Sequence, residues 1–291
     1  MISGLDFFLA GLAAVAAGAI NALAGGGTLI TFPTLLAIGI PPIAANVTNT
    51  VALCPGFMGG ILAQLKDLTG QRRRFWIFLG ASAAGGVVGS TLLLLTGERA
   101  FQALVPFLIL IASCLLAVQG LLRIWVVRRS VKAEAKSRSE IWAVIVVGLV
   151  AIYGGYFGVA MSVVVLSILA LMINDSLTRL NAIKQTVAFG ANGAAAVIFI
   201  FSGRVVWLIA LVMAVGALAG GTLGGRLAGH IKPDTLRWTV VSIGIVLAII
   251  YFTRGTGNGI LPGRKKRSHS AITGHWHPGP VRDSYFLQYL Q

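Results

Sequence analysis

Apolar residues fill this chain in long runs separated by short polar breaks, and the runs have the length of helices that cross a bilayer. Against the roughly 20 residues that a crossing helix needs, ten segments stand out, near 5–24, 28–40, 43–65, 75–96, 101–123, 141–157, 159–173, 180–202, 205–229 and 236–253. No Asp, Glu, Lys or Arg occurs between Phe7 and Gln64, Phe75 and Gly97, Ala100 and Leu122, or Ile141 and Asn174. Lipid requires such gaps, because an ionised side chain at mid-bilayer costs about 2.5–3.5 kcal/mol on insertion scales. The pattern predicts an all-α polytopic membrane protein.

Two segments, 28–40 and 159–173, are too short to cross alone. They take the same ordinal place in each half and follow glycine-rich breaks, Gly25-Gly26-Gly27 and Gly154-Gly155 with Gly158. Matched short segments of this kind point to a transporter's binding site. Sliding the chain on itself by 135 residues brings Asn46 onto Asn181, Gly85 and Gly86 onto Gly220 and Gly221, and Gly89 onto Gly224. Upstream, Gly25 meets Gly158 at an offset of 133. This predicts two internal repeats of about four to five transmembrane segments each, with short broken helices. The chain divides into repeat 1 over 1–125, a basic cytoplasmic linker over 126–140, repeat 2 over 141–254 and a disordered basic tail over 255–291. If the short segments cross separately there are ten crossings and the repeats are inverted; if each pairs with a neighbour there are eight and they run parallel. Eight crossings keep every basic cluster on one side, which favours that count.

Charge sharpens this picture. A net charge of +15 with only 11% charged residues is concentrated in Lys66 with Arg72–Arg74, in the stretch from Arg123 to Arg138, and in Arg264–Arg267. Juxtamembrane clusters of this sort mark the cytoplasmic face of a multi-pass protein in the cell membrane. Without a folded basic domain they do not indicate nucleic acid. The lipid bilayer is one partner, and a homo-oligomer is an allowed state. Cys54 and Cys114 lie in apolar runs with no metal or disulfide spacing. Ala22-Leu23-Ala24 resembles a signal-peptidase site, but Asp6 stands where a basic residue would precede it, so the segment is kept as structure.

Lys184 is the one ionisable side chain well inside a segment; Arg204 and Arg226 lie near segment ends. Lys184 either snorkels to the interface or faces a polar cavity and attracts an anion. Asn181-x-x-Lys184 aligns with Asn46-x-x-Asn49, so each half presents two polar side chains on one helix face. Asn and Thr here also have a structural alternative, bonding helix to helix for about 0.6 kcal/mol. Gly25-Gly26-Gly27-Thr28, with Asn21 beside it, precedes a short helix whose free N–H groups suit an anion. The Gly216, Gly220, Gly224 ladder and the Gly85, Gly89 pair suit close helix packing. No His, Asp or Glu lies within an apolar run apart from Asp6 at the start of the first. That argues against an enzyme, a cofactor or a metal centre; His275 and His277 in the tail are incidental.

The run Gly18-Ala-Ile-Asn21-Ala-Leu-Ala-Gly25-Gly-Gly-Thr28-Leu-Ile-Thr-Phe-Pro33, followed by Pro41-Pro-Ile-Ala-Ala-Asn46-Val-Thr-Asn49-Thr, resembles the first-repeat signature of the sulfite exporter TauE/SafE family. Gly154-Gly-Tyr-Phe-Gly158 and Arg179-Leu-Asn181-Ala-Ile-Lys184 resemble its second repeat. The similarity covers residues 5–253. It implies a transporter of the cytoplasmic membrane for sulfite, sulfonates or other small sulfur-containing anions. The polar sites it implies are Asn21, Thr28, Asn46, Asn49, Asn181 and Lys184. An anion channel and a non-transporting assembly subunit are the alternatives.

Overall fold

Backbone N–H and C=O groups in hydrocarbon must be satisfied within the chain, and for single apolar runs only a helix does so. Helices are accordingly the regular elements among the described residues. The computed structural model describes residues 3–23, 25–132 and 140–227, with 238, 241, 242, 244–246 and 249 beyond them. In chain order they form α1 (Gly4–Leu23), α2 (Thr28–Ala37), α3 (Pro42–Ala63), a 3-10 turn at Leu65–Leu68, α4 (Arg72–Leu95) and α5 (Glu98–Lys132). Then come α6 (Glu140–Tyr156), α7 (Met161–Met172), α8 (Leu177–Ile200) and α9 (Trp207–Leu227). Among the described residues five stretches are long and apolar enough to cross a membrane: Gly4–Leu23, Arg72–Leu95, Glu98–Val118, Leu177–Ile200 and Trp207–Arg226. Most of the tenth apolar segment and all of the tail from 255 lie outside the described residues.

Local chemistry sets the helix ends. Pro42 opens α3, where its missing N–H is no loss. The Ser176 hydroxyl accepts from the Arg179 N–H at 3.4 Å and caps α8. At the two breaks the backbone turns left-handed, at Gly25 (φ 86°) and Gly26 (φ 93°) after α1, and at Gly158 (φ 72°) and Ala160 (φ 59°) after α6. Only the last carries a Cβ there, a strain of about 1–2 kcal/mol.

Hydrophobic burial cannot drive helices together where lipid is as apolar as the helix face, so packing depends on close backbone approach. Gly85 lies against the Gly148 carbonyl and Gly89 against Ile152, joining α4 to α6. Gly220 lies against Val15 and Gly224 against Ala19, joining α9 to α1. Gly86 meets Ala191 of α8, and Gly221 meets Gly56 of α3. These contacts form pairs: each contact in one half has a counterpart related by the same offsets of 135 and 133 that align the halves in sequence.

The same contacts give helix directions. Gly60 sits beside Gln185, and Gly193 beside Cys54, while Asn181 donates to Gln64 at 2.9 Å; α3 and α8 are therefore antiparallel. Arg74, in the first turn of α4, bonds Glu140 at the start of α6 (2.6 Å) and Asp175 just before α8 (2.9 Å), so α4, α6 and α8 begin at one end. Both α1 and α3 run parallel to α9, as the ascending pairs Gly11–Val212, Gly224–Ala19, Gly56–Ala217 and Gly225–Ala63 show. The chain must then return to its starting side between α1 and α3 through α2, and between α6 and α8 through α7. This corrects the preference for parallel halves: the short helices lead the chain back, and among the described residues corresponding helices of the halves point opposite ways. Of the basic clusters that favoured parallel halves, Arg264–Arg267 lies outside the described residues.

At Gly89 a larger side chain would have to displace the backbone at Ile152 and Tyr156, whereas Gly80 faces open space. We expect Gly89→Leu to lose most of the folded, monodisperse protein in detergent and Gly80→Ala to lose none, as read by size-exclusion chromatography and thermal unfolding.

Candidate functional site

A helix that stops inside a membrane protein leaves up to four carbonyls at its end and four N–H groups at the next start without partners. The α1–α2 and α6–α7 breaks both present this problem, and both answer it first in the same way: the Gly25 N–H donates to the Ile20 carbonyl at 2.8 Å, and the Gly158 N–H to the Tyr153 carbonyl at 3.1 Å. The breaks also touch. Gly25 packs against Ser162 and Val163 at the start of α7, and the Phe32 ring of α2 meets Phe157 edge to face at 5.3 Å.

At the first break the sequence-predicted residues come together. The Asn21 side-chain oxygen accepts from the Gly27 N–H at 2.8 Å and ties the two helices across the turn. Lys184, 1% exposed, reaches from α8 to the end of α1 and donates to the Asn21 carbonyl at 3.3 Å. Beside it the Gln185 amide donates to the Ala22 carbonyl, also at 3.3 Å. The negative end of the α1 dipole thus meets an ammonium group. Thr28 begins α2 and is buried. Lys184 does not snorkel, and none of the described ion pairs includes it.

The remaining predicted residues lie elsewhere. Asn181 is half-buried at the basic end of the molecule, bonded to Gln64. Asn46 faces the second break, where its amide donates to the Tyr156 carbonyl at 2.8 Å. Asn49 is buried one turn further along α3, and its side-chain oxygen has no partner. Asn46 and Lys184 therefore serve different breaks, each helix of one half closing the break in the other.

Three residues at these breaks stand outside the set of predicted site residues. Gln185 is polar within an apolar helix and adjoins Lys184. Asn192 is buried in a run of small residues, its amide bonded to the Ala188 carbonyl at 2.8 Å and its oxygen turned toward Gly158. Ser162, also buried, meets the first break across the interface between the hairpins. A polar side chain in an alanine-rich stretch was the available signal for Asn192; nothing local distinguishes Ser162.

The first break is chemically a set of donors. The Asn21 side-chain oxygen is engaged, which leaves its NH₂ group as the free part of the amide. Lys184 has three N–H donors and one bond to Asn21. The α2 start adds the positive end of a helix dipole. Among the described residues no carboxylate shares the site, and no group of three or more His, Cys, Asp or Glu could hold a metal.

The family described as Sulfite exporter TauE/SafE matches residues 10–251. The chain is 26% identical over 238 residues to "Probable membrane transporter protein ORF9" of Sinorhizobium sp, covering 82% of this chain and 89% of that protein. It is 26% identical over 209 residues to a "Probable membrane transporter protein" of Haemophilus influenzae, covering 72% and 79%. It is 25% identical over 262 residues to "Probable membrane transporter protein YfcA" of Escherichia coli, covering 88% and 92%. No solved structure matches at the same stringency.

Removing the Asn21 side chain leaves the buried Gly27 N–H without its acceptor, a cost of about 1–3 kcal/mol. Asn21→Ala should therefore lower the thermal unfolding midpoint in detergent, and Asn181→Ala, at a half-buried position, should lower it less.

Proposed function

The chain belongs to the sulfite exporter TauE/SafE family and is a membrane transporter, and within that class we propose that it moves a small anion, a sulfur-containing oxyanion such as sulfite or an organosulfonate, out of the cell. One observation carries the charge preference: Lys184 is buried, joined to the end of α1 by a carbonyl, and among the described residues no carboxylate pairs with it. A buried ammonium costs several kcal/mol unless a counter-charge accompanies it. A substrate anion supplies that charge, with the Asn21 amide and the start of α2 as further donors. Asn46, Asn49 and Asn181 have supporting parts, at the second break and at the Gln64 contact.

Two polar ends support an orientation. One end carries Lys66, Arg72, Arg73, Arg74, Arg179 and Arg226 against Asp67, Glu140 and Asp175; the other carries Arg99 and Arg204 against Asp6 and Glu98, which accepts from the Ile43 N–H at 3.0 Å. The basic end fits the cytoplasmic side of a cell membrane. From there an inside-negative potential drives a monovalent anion outward with about 2.3 kcal/mol per 100 mV. Nothing in the fold requires catalysis, and the protein is read as a transporter without enzymatic activity or cofactor. An anion channel uses the same chemistry but gives flux that does not saturate with concentration.

Purified full-length protein in liposomes should carry sulfite or a small sulfonate and leave a neutral solute of similar size behind. Lys184→Ala should lower saturable flux by about tenfold or more, the factor for a lost charged hydrogen-bond donor. Equal flux in that variant would remove Lys184 from the mechanism; equal flux of the neutral solute would remove the anion preference.

A further inference from the structure

The two helix breaks share a backbone motif but differ in how their exposed carbonyls are met. At the end of α1 the Asn21 and Ala22 carbonyls receive Lys184 and Gln185. The offset of 133 that pairs Gly25 with Gly158 pairs these residues with Gly154 and Gly155. At the end of α6, no donor reaches the Gly154 or Gly155 carbonyl among the described residues; the Gly158 N–H goes to Tyr153 instead. The offset of 135 pairs Lys184 with Asn49, so an amide stands where the other half has an ammonium.

The surrounding side chains are arranged as acceptors. Asn46 spends its NH₂ on the Tyr156 carbonyl, which fixes the amide orientation and leaves a buried oxygen without a partner. The Asn49 oxygen is likewise buried and unpartnered, and the residue is only 2% exposed. Asn192 spends its NH₂ on Ala188 and turns its oxygen toward Gly158. Buried oxygens with no donor are costly. Together with the negative end of the α6 dipole they call for positive charge. Among the described residues no charged side chain bonds to them: α3 and α7 have no Lys or Arg, the Arg residues of α4 lie at the far, basic end, Lys184 of α8 is engaged at the other break, and Arg204 faces Glu98.

We propose that the α6–α7 break is a binding site for a free monovalent cation of the Na⁺ class, held by the side-chain oxygens of Asn46, Asn49 and Asn192 and the carbonyls of Gly154 and Gly155. The cation does at this break what the tethered ammonium of Lys184 does at the other. Neutral amide and carbonyl oxygens suit a hard, singly charged ion, and interrupted helices of transporters hold such ions by their carboxyl ends. Because the breaks touch through Gly25 and Ser162, charge at one is felt at the other. The cation site thereby joins the anion site of the transport reading on which its role in flux rests. Cation binding itself stands apart from that reading and is measurable without any substrate.

The test is thermal unfolding of purified full-length protein in detergent, with NaCl exchanged for choline chloride at constant chloride and no oxyanion present. Na⁺ should raise the midpoint in a saturable way, and Asn49→Ala should weaken the apparent Na⁺ affinity by about tenfold, as for loss of one ligand to a charge. Asn49→Lys, which supplies a tethered ammonium, should abolish the Na⁺ response. If Asn49→Lys does not fold, Asn49→Ala alone decides. A midpoint indifferent to Na⁺ over choline, or an unchanged Na⁺ response in Asn49→Ala, overturns the site. Absence of sulfite and sulfonate flux in the unaltered protein, with its Na⁺ response intact, would overturn the anion reading alone.

Discussion

The hydrogen-bond requirement of a helix that ends inside a membrane protein governs this structure. Neither lipid nor bulk water is available to satisfy the last carbonyls of α1 and α6, so another part of the chain, or a ligand, has to do it. The paired glycine turns answer part of the demand. The rest falls to side chains from α8 and α3, which explains why these two helices bury Asn, Thr, Gln and Lys side chains. The polar residues sit at helix breaks because the breaks need them there.

Bringing α3 and α8 to the opposite half's break requires helices to pass very close together, and glycine makes that possible. The α1–α9 and α4–α6 contacts are backbone against backbone, where dispersion and weak polar contacts act at short range. Arg74, bonding Glu140 and Asp175 at once, gathers the starts of α4, α6 and α8 at the basic end. Partly exposed ion pairs of this kind contribute modestly to stability; their stronger effect is to hold three helix ends together. The scaffold is thereby rigid around two breaks that differ chiefly in charge, one with a lysine and one with amides only.

Much of this was legible in the sequence. Apolar run length and missing charge identified the helices, because lipid tolerates few alternatives. The offset of 135 identified the glycines that pack, since Gly85, Gly89, Gly220 and Gly224 are required by contact distance. Lys184 was recognisable as exceptional because an ionisable group inside a span is rare. Charge counting did not reveal helix direction: basic clusters report which side a loop lies on only when every loop is placed, and a short return helix such as α2 carries no charge of its own.

By itself the sequence determined that the chain is a multi-pass helical membrane protein with two matched breaks and polar side chains near them, because periodicity, length and residue type act locally. Only the tertiary structure decided which break each side chain serves. Asn46 and Lys184 look like partners along the chain, yet α3 and α8 run antiparallel and carry them to opposite breaks. Unsatisfied carbonyls are a property of where helices end in space, and no residue pattern along one strand of sequence records which distant side chain reaches them.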